Sequence, residues 1–354
     1  MKVLIFFLLI SVSFISLIST NKFVNNKLFR CSNVIILIIS LGILFGWRTA
    51  EDFADTTTYA MLFEKFSNQS LIYTLNNSPL EKGYTAFQWI VSQLAVSTSV
   101  YFFIIFILFF SFLYFSFRKI YSNSYLFALL GFICTPMFAT MSGNIIRTGL
   151  AFSFLLLGTI YIYEKKRFQG LLWLLTSITF HTTVLPFAIL LLLFNVNKYK
   201  FKLFILGWIV SAVIFLTNIQ TSLFPFLIQI NKIEVYTSQA TFEQYGSNGI
   251  RLDFFLFNAF LVLSLLFANK IIFEHKNSLI NFYLKVTFIS SIIFHLLGFI
   301  AFSDRLAIYV WLFFVITLLV MVIEVNKKYS FVLPIYLAFS ILFSIITKSY
   351  LYFH

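Results

Sequence analysis

The chain has 354 residues, of which 60% are hydrophobic, 21% aromatic and only 10% charged. That balance excludes a soluble globular domain. The net charge of +13 reads as the lysine and arginine bias of cytosolic membrane loops, so no nucleic acid partner is expected.

Apolar runs of about 20 residues, the length a helix needs to cross a bilayer, recur along the chain. The fold class is therefore all-α: one polytopic integral membrane bundle over residues 1–354. A transmembrane β-barrel would show short alternating strands instead. Cys31 and Cys134 fall in or beside different apolar segments and form no CxxC pair, so neither a disulfide framework nor a metal site is expected.

Residues 3–19 form an apolar run behind Lys2, with the pattern of either a cleaved signal peptide or an uncleaved first helix. Lys22, Lys27 and Arg30 in the next loop favour the uncleaved helix, its N-terminus outside. A second span is expected over 33–47. The polar stretch 48–83 carries Arg48, Glu51, Asp52, Asp55, Glu64 and Glu81, and reads as an acidic outer loop. Residues 84–99 include Gln88, Trp89, Ser92 and Gln93, which suits an interfacial or re-entrant helix. The next span, 100–117, closes on Arg118-Lys119 inside.

A span over 125–142 contains Pro136, and another over 145–163 closes on Lys165-Lys166-Arg167. Segment 169–195 has basic blocks at both ends, the second being Lys198, Lys200 and Lys202. It should therefore turn back near His181-Thr182-Thr183 as two short helices, 169–180 and 184–195. Such breaks are tolerated where freed backbone lines a cavity. Residues 203–219 lead to a second outer loop, 220–252, with Glu234, Tyr236, Glu243, Tyr245 and Arg251. Spans over 253–270, 281–301, 306–325 and 331–347 complete about 12 membrane segments, with both termini outside.

On this topology Arg48, Arg147, Arg251 and Arg305 lie at the outer side, while lysines dominate the inner side. Arginine presents a planar fork that fits phosphate oxygens, whereas lysine is a hydrated point charge. The outer set suits an anionic ligand. Arg147 opens an apolar helix, where the helix dipole also favours an anion. Against this stands an arginine merely reaching for the interface. His181 has the side chain best matched to proton transfer near neutrality, or could donate to a diphosphate. Otherwise it caps the helix, bonded to Thr182 or a backbone carbonyl. Arg305 and Tyr309 share a helix face, with Asp304 beside them. Arg48, Asp55, Tyr59 and Glu81 give the first outer loop the charges and rings that suit sugars. Nucleotide-loop, zinc-protease and nucleophile-elbow motifs are absent, and no cofactor or metal is expected.

Four blocks of residues resemble the EpsG family of bacterial polysaccharide polymerases, which act like Wzy O-antigen polymerases. They are Arg48 with Asp55-Thr56-Thr57-Thr58-Tyr59; Glu81-Lys82-Gly83-Tyr84; Ile146-Arg147-Thr148-Gly149-Leu150-Ala151 with Phe180-His181-Thr182-Thr183; and Arg305 to Tyr309. The family often has glycines between the first arginine and aspartate, where Thr49 to Ala54 has none; and a glutamine follows its central arginine, where Thr148 stands here.

The resemblance implies glycosyl transfer at the outer face of the bacterial cytoplasmic, or inner, membrane. Oligosaccharide repeat units on undecaprenyl diphosphate would be joined, with lipid diphosphate as leaving group. It implies Arg147 and Arg305 as diphosphate ligands. Arg48, Tyr59, Arg251 and Tyr309 join them in binding substrate. His181, Asp55 and Glu81 are the catalytic candidates, the general base left open among them. The product class, O-antigen of a lipopolysaccharide or another surface glycan, is also open. Beyond the substrates and the lipid bilayer, a chain-length regulator and a flippase of the same pathway are the partners implied. Two other readings compete: a lipid-linked oligosaccharide flippase or exporter, and an O-antigen ligase.

Overall fold

In the computed structural model the described residues are 27–53, 55–94, 96–121, 124–193, 196–220, 251–301, 303–329 and 331–346. The expected first helix, 3–19, and nearly all of the loop 220–252 lie outside them. Among the described residues every regular element is helical. In chain order they are α1 (Lys27–Leu41), α2 (Thr56–Phe66), α3 (Leu71–Asn77), α4 (Lys82–Ser92), α5 (Thr98–Tyr121), α6 (Tyr125–Ile133), α7 (Pro136–Gly143), α8 (Ile146–Tyr163), α9 (Arg167–Phe180), α10 (Leu185–Leu193), α11 (Phe201–Leu216), α12 (Leu252–Phe273), α13 (Ser278–Leu297), α14 (Asp304–Asn326) and α15 (Val332–Ile346). The chain forms two compact units, Met1–Val184 with Val325–His354, and Leu185–Glu324.

Five helices are long and apolar enough to cross a membrane: α5, α8, α12, α13 and α14. Counting α6 and α7 as one broken span makes six. Four shorter apolar helices, Val34–Gly46, Thr182–Leu193, Phe201–Leu216 and Val332–Leu342, accompany them. The expected 12 segments are therefore not reproduced among the described residues. The reason is local: several apolar runs are interrupted before they reach spanning length. α6 and α7 meet at 75° where Pro136 opens α7. Proline has no backbone N–H to continue the preceding helix. The run after α1 ends in a π turn, Gly42–Gly46. The break expected at His181 is present, with α9 ending at Phe180 and a 3-10 turn over Thr182–Val184.

In the first unit α8 is buried on nearly every side, as a helix apolar all round should be. It packs on α5 and on α9. Small residues let α9 come close. A Cβ on Gly158 would stand 2.9 Å from Leu174 Cδ2, and one on Gly170 2.9 Å from Ile162 Cγ1. Close approach through small residues is how apolar helices associate where no hydrophobic force separates them from lipid. Ser177 Oγ adds a donor to the Ala151 carbonyl at 2.6 Å. The phenylalanine content becomes packing: Phe138 is ringed by Phe45, Phe106, Phe109, Phe110 and Phe132, with centroids 5.5–6.4 Å away. Tilted and edge-on ring pairs at such distances are favourable.

The polar stretch 48–83 is not an open loop. It folds into α2 and α3, and Tyr59, Phe63 and Phe66 of α2 pack with Tyr84, Tyr101, Phe102 and Ile146. Those three residues recur at the spacing of one helix face. Of the stretch 84–99 expected as an interfacial or re-entrant helix, residues 84–92 belong to α4 and 98–99 already to α5; α4 docks on α9 at Gly83.

In the second unit α13 is central and packs on α10, α11 and α12. His295, fully buried on α13, has Ser211 Oγ 2.9 Å from Nδ1 and Ser291 Oγ 3.4 Å from Nε2. Trp208 Nε1 donates to the same Ser291 at 2.8 Å. Lys285 Nζ donates to the carbonyls of Val196 and Tyr199 at 2.9 and 2.8 Å, closing the turn ahead of α11.

A Cβ on Gly83 would lie 2.6 Å from Thr179 Cβ and 2.8 Å from the Thr179 carbonyl oxygen. Gly83→Ala is expected to destabilise the protein by about 1–3 kcal/mol through overpacking. On Gly207 the same atom meets only Ile292 Cδ1, at 3.5 Å. Gly207→Ala should be neutral, or stabilising by up to about 1 kcal/mol. Thermal unfolding of the two variants in detergent checks both.

Candidate active site

Glu81 is the N-cap residue of α4, where the dipole of the helix favours a negative charge. Its Oε2 pairs with Arg147 Nη1 at 2.5 Å. Its Oε1 accepts from the backbone N–H of Thr182 at 3.1 Å and from Thr182 Oγ1 at 3.2 Å. One carboxylate thus ties the start of α4, the start of α8 and the turn after α9. Both side chains are largely buried, Arg147 at 15% exposure and Glu81 at 9%.

Arg147 is the second residue of α8. Its Nε donates to Tyr59 Oη at 3.1 Å. The guanidinium carbon lies 5.4 Å from the Tyr59 ring centre and 6.0 Å from that of Tyr84, within cation–π range. Nε and Nη1 are therefore engaged, while Nη2 makes no hydrogen bond to any described residue. A polar network stands behind the rings. Tyr84 Oη lies 2.7 Å from Tyr101 Oη, and Gln88 Nε2 donates to the Tyr59 carbonyl at 2.9 Å and to Tyr101 Oη at 3.1 Å.

His181 ends α9 in extended backbone and its side chain is buried. Nδ1 accepts the Thr183 N–H at 3.3 Å and lies 2.7 Å from Thr183 Oγ1. A nitrogen that accepts an amide N–H carries no proton itself, so in the neutral ring the proton sits on Nε2. At Nδ1 the partner is Thr183, where the sequence suggests Thr182 or a backbone carbonyl for the ring; Thr182 instead bonds Glu81.

Asp55 opens α2, its N–H donating to Asn144 Oδ1 at 3.1 Å. Asn144 is the residue on which α7 ends, three before Arg147. The half-buried Asp55 carboxylate makes no hydrogen bond or ion pair with any described residue. It sits one helical turn before Tyr59, on the same face of α2.

Arg48 is turned inward. Its side chain is buried, and Nη1 donates to the carbonyls of Phe45 and Ser142, both at 2.9 Å. Its guanidinium carbon lies 4.9 Å from the ring centre of Phe53 and 4.8 Å from that of Phe102. Nε has no partner. Burial lowers its pKa to about 10. Arg48 thereby clamps the π turn to α7, just ahead of the Asn144 turn.

The remaining residues of interest lie in the second unit. Arg251 forms a two-point ion pair with Asp253, Nε to Oδ1 at 2.9 Å and Nη2 to Oδ2 at 2.6 Å, and lies over the Phe254 ring. Arg305 and Tyr309 stand one turn apart on α14; Tyr309 is fully buried against Phe187, ring centres 4.4 Å apart. The structure thus gathers Tyr59, Glu81, Arg147 and the His181 turn around one ion pair, with Asp55 on the adjoining turn. Sequence reasoning missed Tyr101 and Thr182 as members. Tyr101 is one more aromatic in a phenylalanine-rich span, and no local pattern marks it. Among the described residues no three His, Cys, Asp or Glu side chains gather closely enough to hold a metal ion.

Among the described residues, then, an all-helical chain with membrane-length apolar helices pairs an arginine at a helix start with a glutamate, beside two tyrosine rings. The family model of the EpsG family matches residues 32–353, nearly the whole chain, and the protein belongs to that family of Wzy-like polysaccharide polymerases. No curated protein and no solved structure matches it.

Burial alone would raise the Glu81 pKa; the charge of Arg147, the nearby His181 and the Thr182 N–H outweigh it, so the net shift is downward from 4.5. A depressed carboxylate stabilises the fold above its unfolded pKa and loses that contribution as pH falls through the folded value. Acid should therefore begin to weaken the first unit only below about pH 4.5, and Glu81→Gln should remove that part of the pH dependence. At neutral pH, Glu81→Ala leaves Arg147 buried without its carboxylate, a loss of about 3–5 kcal/mol. Glu81→Leu combined with Arg147→Met should cost less than the sum of the single changes. Thermal unfolding in detergent across pH, with the double-mutant cycle, measures both effects.

Proposed function

We infer that this protein polymerises a bacterial surface polysaccharide at the outer face of the cytoplasmic membrane. Its substrates are oligosaccharide repeat units carried on undecaprenyl diphosphate. Family membership supports the polymerase class, and one observation carries the site assignment. Arg147 is held rigidly through Nε and Nη1, and its Nη2 edge makes no bond to described protein groups.

The chemistry is substitution at the reducing-end carbon of the donor glycan. A hydroxyl of the acceptor sugar attacks that carbon, and the lipid diphosphate departs with the bonding electrons. Negative charge grows on the leaving diphosphate. A fixed guanidinium aimed at it, set against the Tyr59 and Tyr84 rings, stabilises the transition state more than the ground state. His181 presents Nε2–H as a donor to the same anion. Tyr59 and Tyr84 hold the guanidinium plane. Arg305, with Tyr309 one turn on, is a second proposed contact for phosphate or glycan, and Arg251 a third. Arg48 supports the Asn144 turn from behind instead of touching substrate. Holding donor and acceptor in place would supply much of the remaining acceleration.

Arg147→Lys keeps the charge and loses the fork. It should abolish polymer, with a loss of about 10²–10³ in rate, the usual cost of one such donor, while membrane levels stay normal. The check is the glycan ladder of a deletion strain complemented with each variant. The wild type restores long polymer, and Arg147→Lys leaves single repeats on the normal acceptor. Full-length polymer from Arg147→Lys would overturn the assignment.

A further inference from the structure

Three groups in the first unit could accept the proton that the acceptor hydroxyl gives up. Their surroundings separate them. Glu81 has both oxygens engaged, Oε2 by Arg147 and Oε1 by Thr182. An ion-paired carboxylate is a weakened base, and protonating it would leave Arg147 buried without its counter-charge. His181 takes the Thr183 N–H on Nδ1, so its remaining nitrogen is a donor. Its ring is buried, 5% exposed. Asp55 differs on each point. Its carboxylate is half-buried and unengaged by any described group. Its backbone is fixed by Asn144 Oδ1 at 3.1 Å, on the turn that leads into Arg147. One helical turn further along α2, Tyr59 receives Arg147 Nε.

We propose that Asp55 is the general base, a catalytic residue that touches the acceptor hydroxyl, and that Glu81 and His181 serve the anion. This assignment rests on the polymerase reading above. The step balances within named groups. The hydroxyl proton passes to an Asp55 carboxylate oxygen as the hydroxyl oxygen bonds to the donor carbon. The bond from that carbon to the diphosphate oxygen breaks, and its electron pair leaves on that oxygen. Asp55 then returns the proton to water. The geometry also divides the site by charge: the cation on α8 meets the leaving group, and the free carboxylate on α2 meets the incoming nucleophile. A base must be free to accept and near the nucleophile, and a ligand for the leaving group must be cationic. The first unit supplies one of each on neighbouring turns.

The experiment uses the full chain in nanodiscs. Its substrate is the lipid-linked repeat unit that accumulates in a strain deleted for this gene, and undecaprenyl diphosphate serves as the binding probe. Asp55→Asn is expected to bind undecaprenyl diphosphate within about twofold of wild type and to polymerise about a hundredfold more slowly or worse, the usual contribution of a positioned base. Asp55→Glu, which keeps a carboxylate, is expected to recover part of that rate. Matched thermal unfolding of both variants guards against simple misfolding. Polymerisation by Asp55→Asn at wild-type rate overturns the proposal. So does loss of probe binding in Asp55→Asn, or an Asp55→Glu variant as inactive as Asp55→Asn. Failure of the underlying reading looks different: wild-type protein makes no polymer from the repeat unit, or Arg147→Ala binds the probe undiminished, and the base assignment falls with it.

Discussion

A guanidinium set among apolar helices stays there only if something nearby answers its charge. In the first unit that something is Glu81, and much of the local architecture follows from the pairing. The carboxylate sits at the start of α4, so α4 has to reach the head of α8. It reaches there because Gly83 lets α4 press onto Thr179 of α9. α9 in turn lies close along α8 because Gly158 and Gly170 leave no side chains between them. The second oxygen of Glu81 then fixes Thr182, just beyond the broken end of α9. Removing the pair would take away the common anchor of three elements.

Arg48, buried, and Arg147, largely buried, show two different solutions to one problem. Arg147 uses an ion pair, a phenol and two ring faces. Arg48 has no ion pair with any described residue; it relies on two backbone carbonyls and the faces of Phe53 and Phe102. The second solution leaves the cation less well compensated, in keeping with its lowered pKa. Carbonyls and rings suit a residue whose task is to hold backbone. An ion pair with donor capacity left over suits one that has to meet a ligand. In both cases the aromatic residues do more than fill space, since their faces carry the negative end of a quadrupole.

Much of the helical layout is legible in the sequence, because uninterrupted apolar runs of spanning length declare themselves in α5, α12, α13 and α14. The break at His181 is legible too, since basic blocks flank a segment too long for one span. The crossing number is not, because a run such as 125–142 looks continuous in composition and is bent at Pro136. Stretch 48–83 misleads for a related reason. Its charges dominate the average, while Tyr59, Phe63 and Phe66 line up on one face of α2 and bury it. As for the site, Glu81 and Arg147 each stand out as charges near the end of an apolar segment. Their pairing across 66 positions of sequence is a product of tertiary packing and leaves no local trace. Arg251 is the reverse case: its carboxylate partner, Asp253, is only two residues away.

The Arg147–Glu81 pair is electrically balanced, and that bears on how the site would work. A neutral pair can be buried among tyrosines far more cheaply than a lone cation. A lone cation would also hold any phosphate tightly before and after reaction alike, and uniform binding does not accelerate chemistry. With Glu81 already on Nη1, a diphosphate arriving on the polymerase reading would meet an arginine whose charge is half answered and whose Nη2 makes no hydrogen bond to any described residue. Ground-state attraction is thereby moderated. As the bond to the sugar carbon lengthens, charge accumulates on the leaving oxygen, and the fixed donors gain most at that moment. On the polymerase reading, Glu81 therefore serves catalysis without touching the reacting atoms: it keeps Arg147 buried, oriented and restrained until the transition state calls on it.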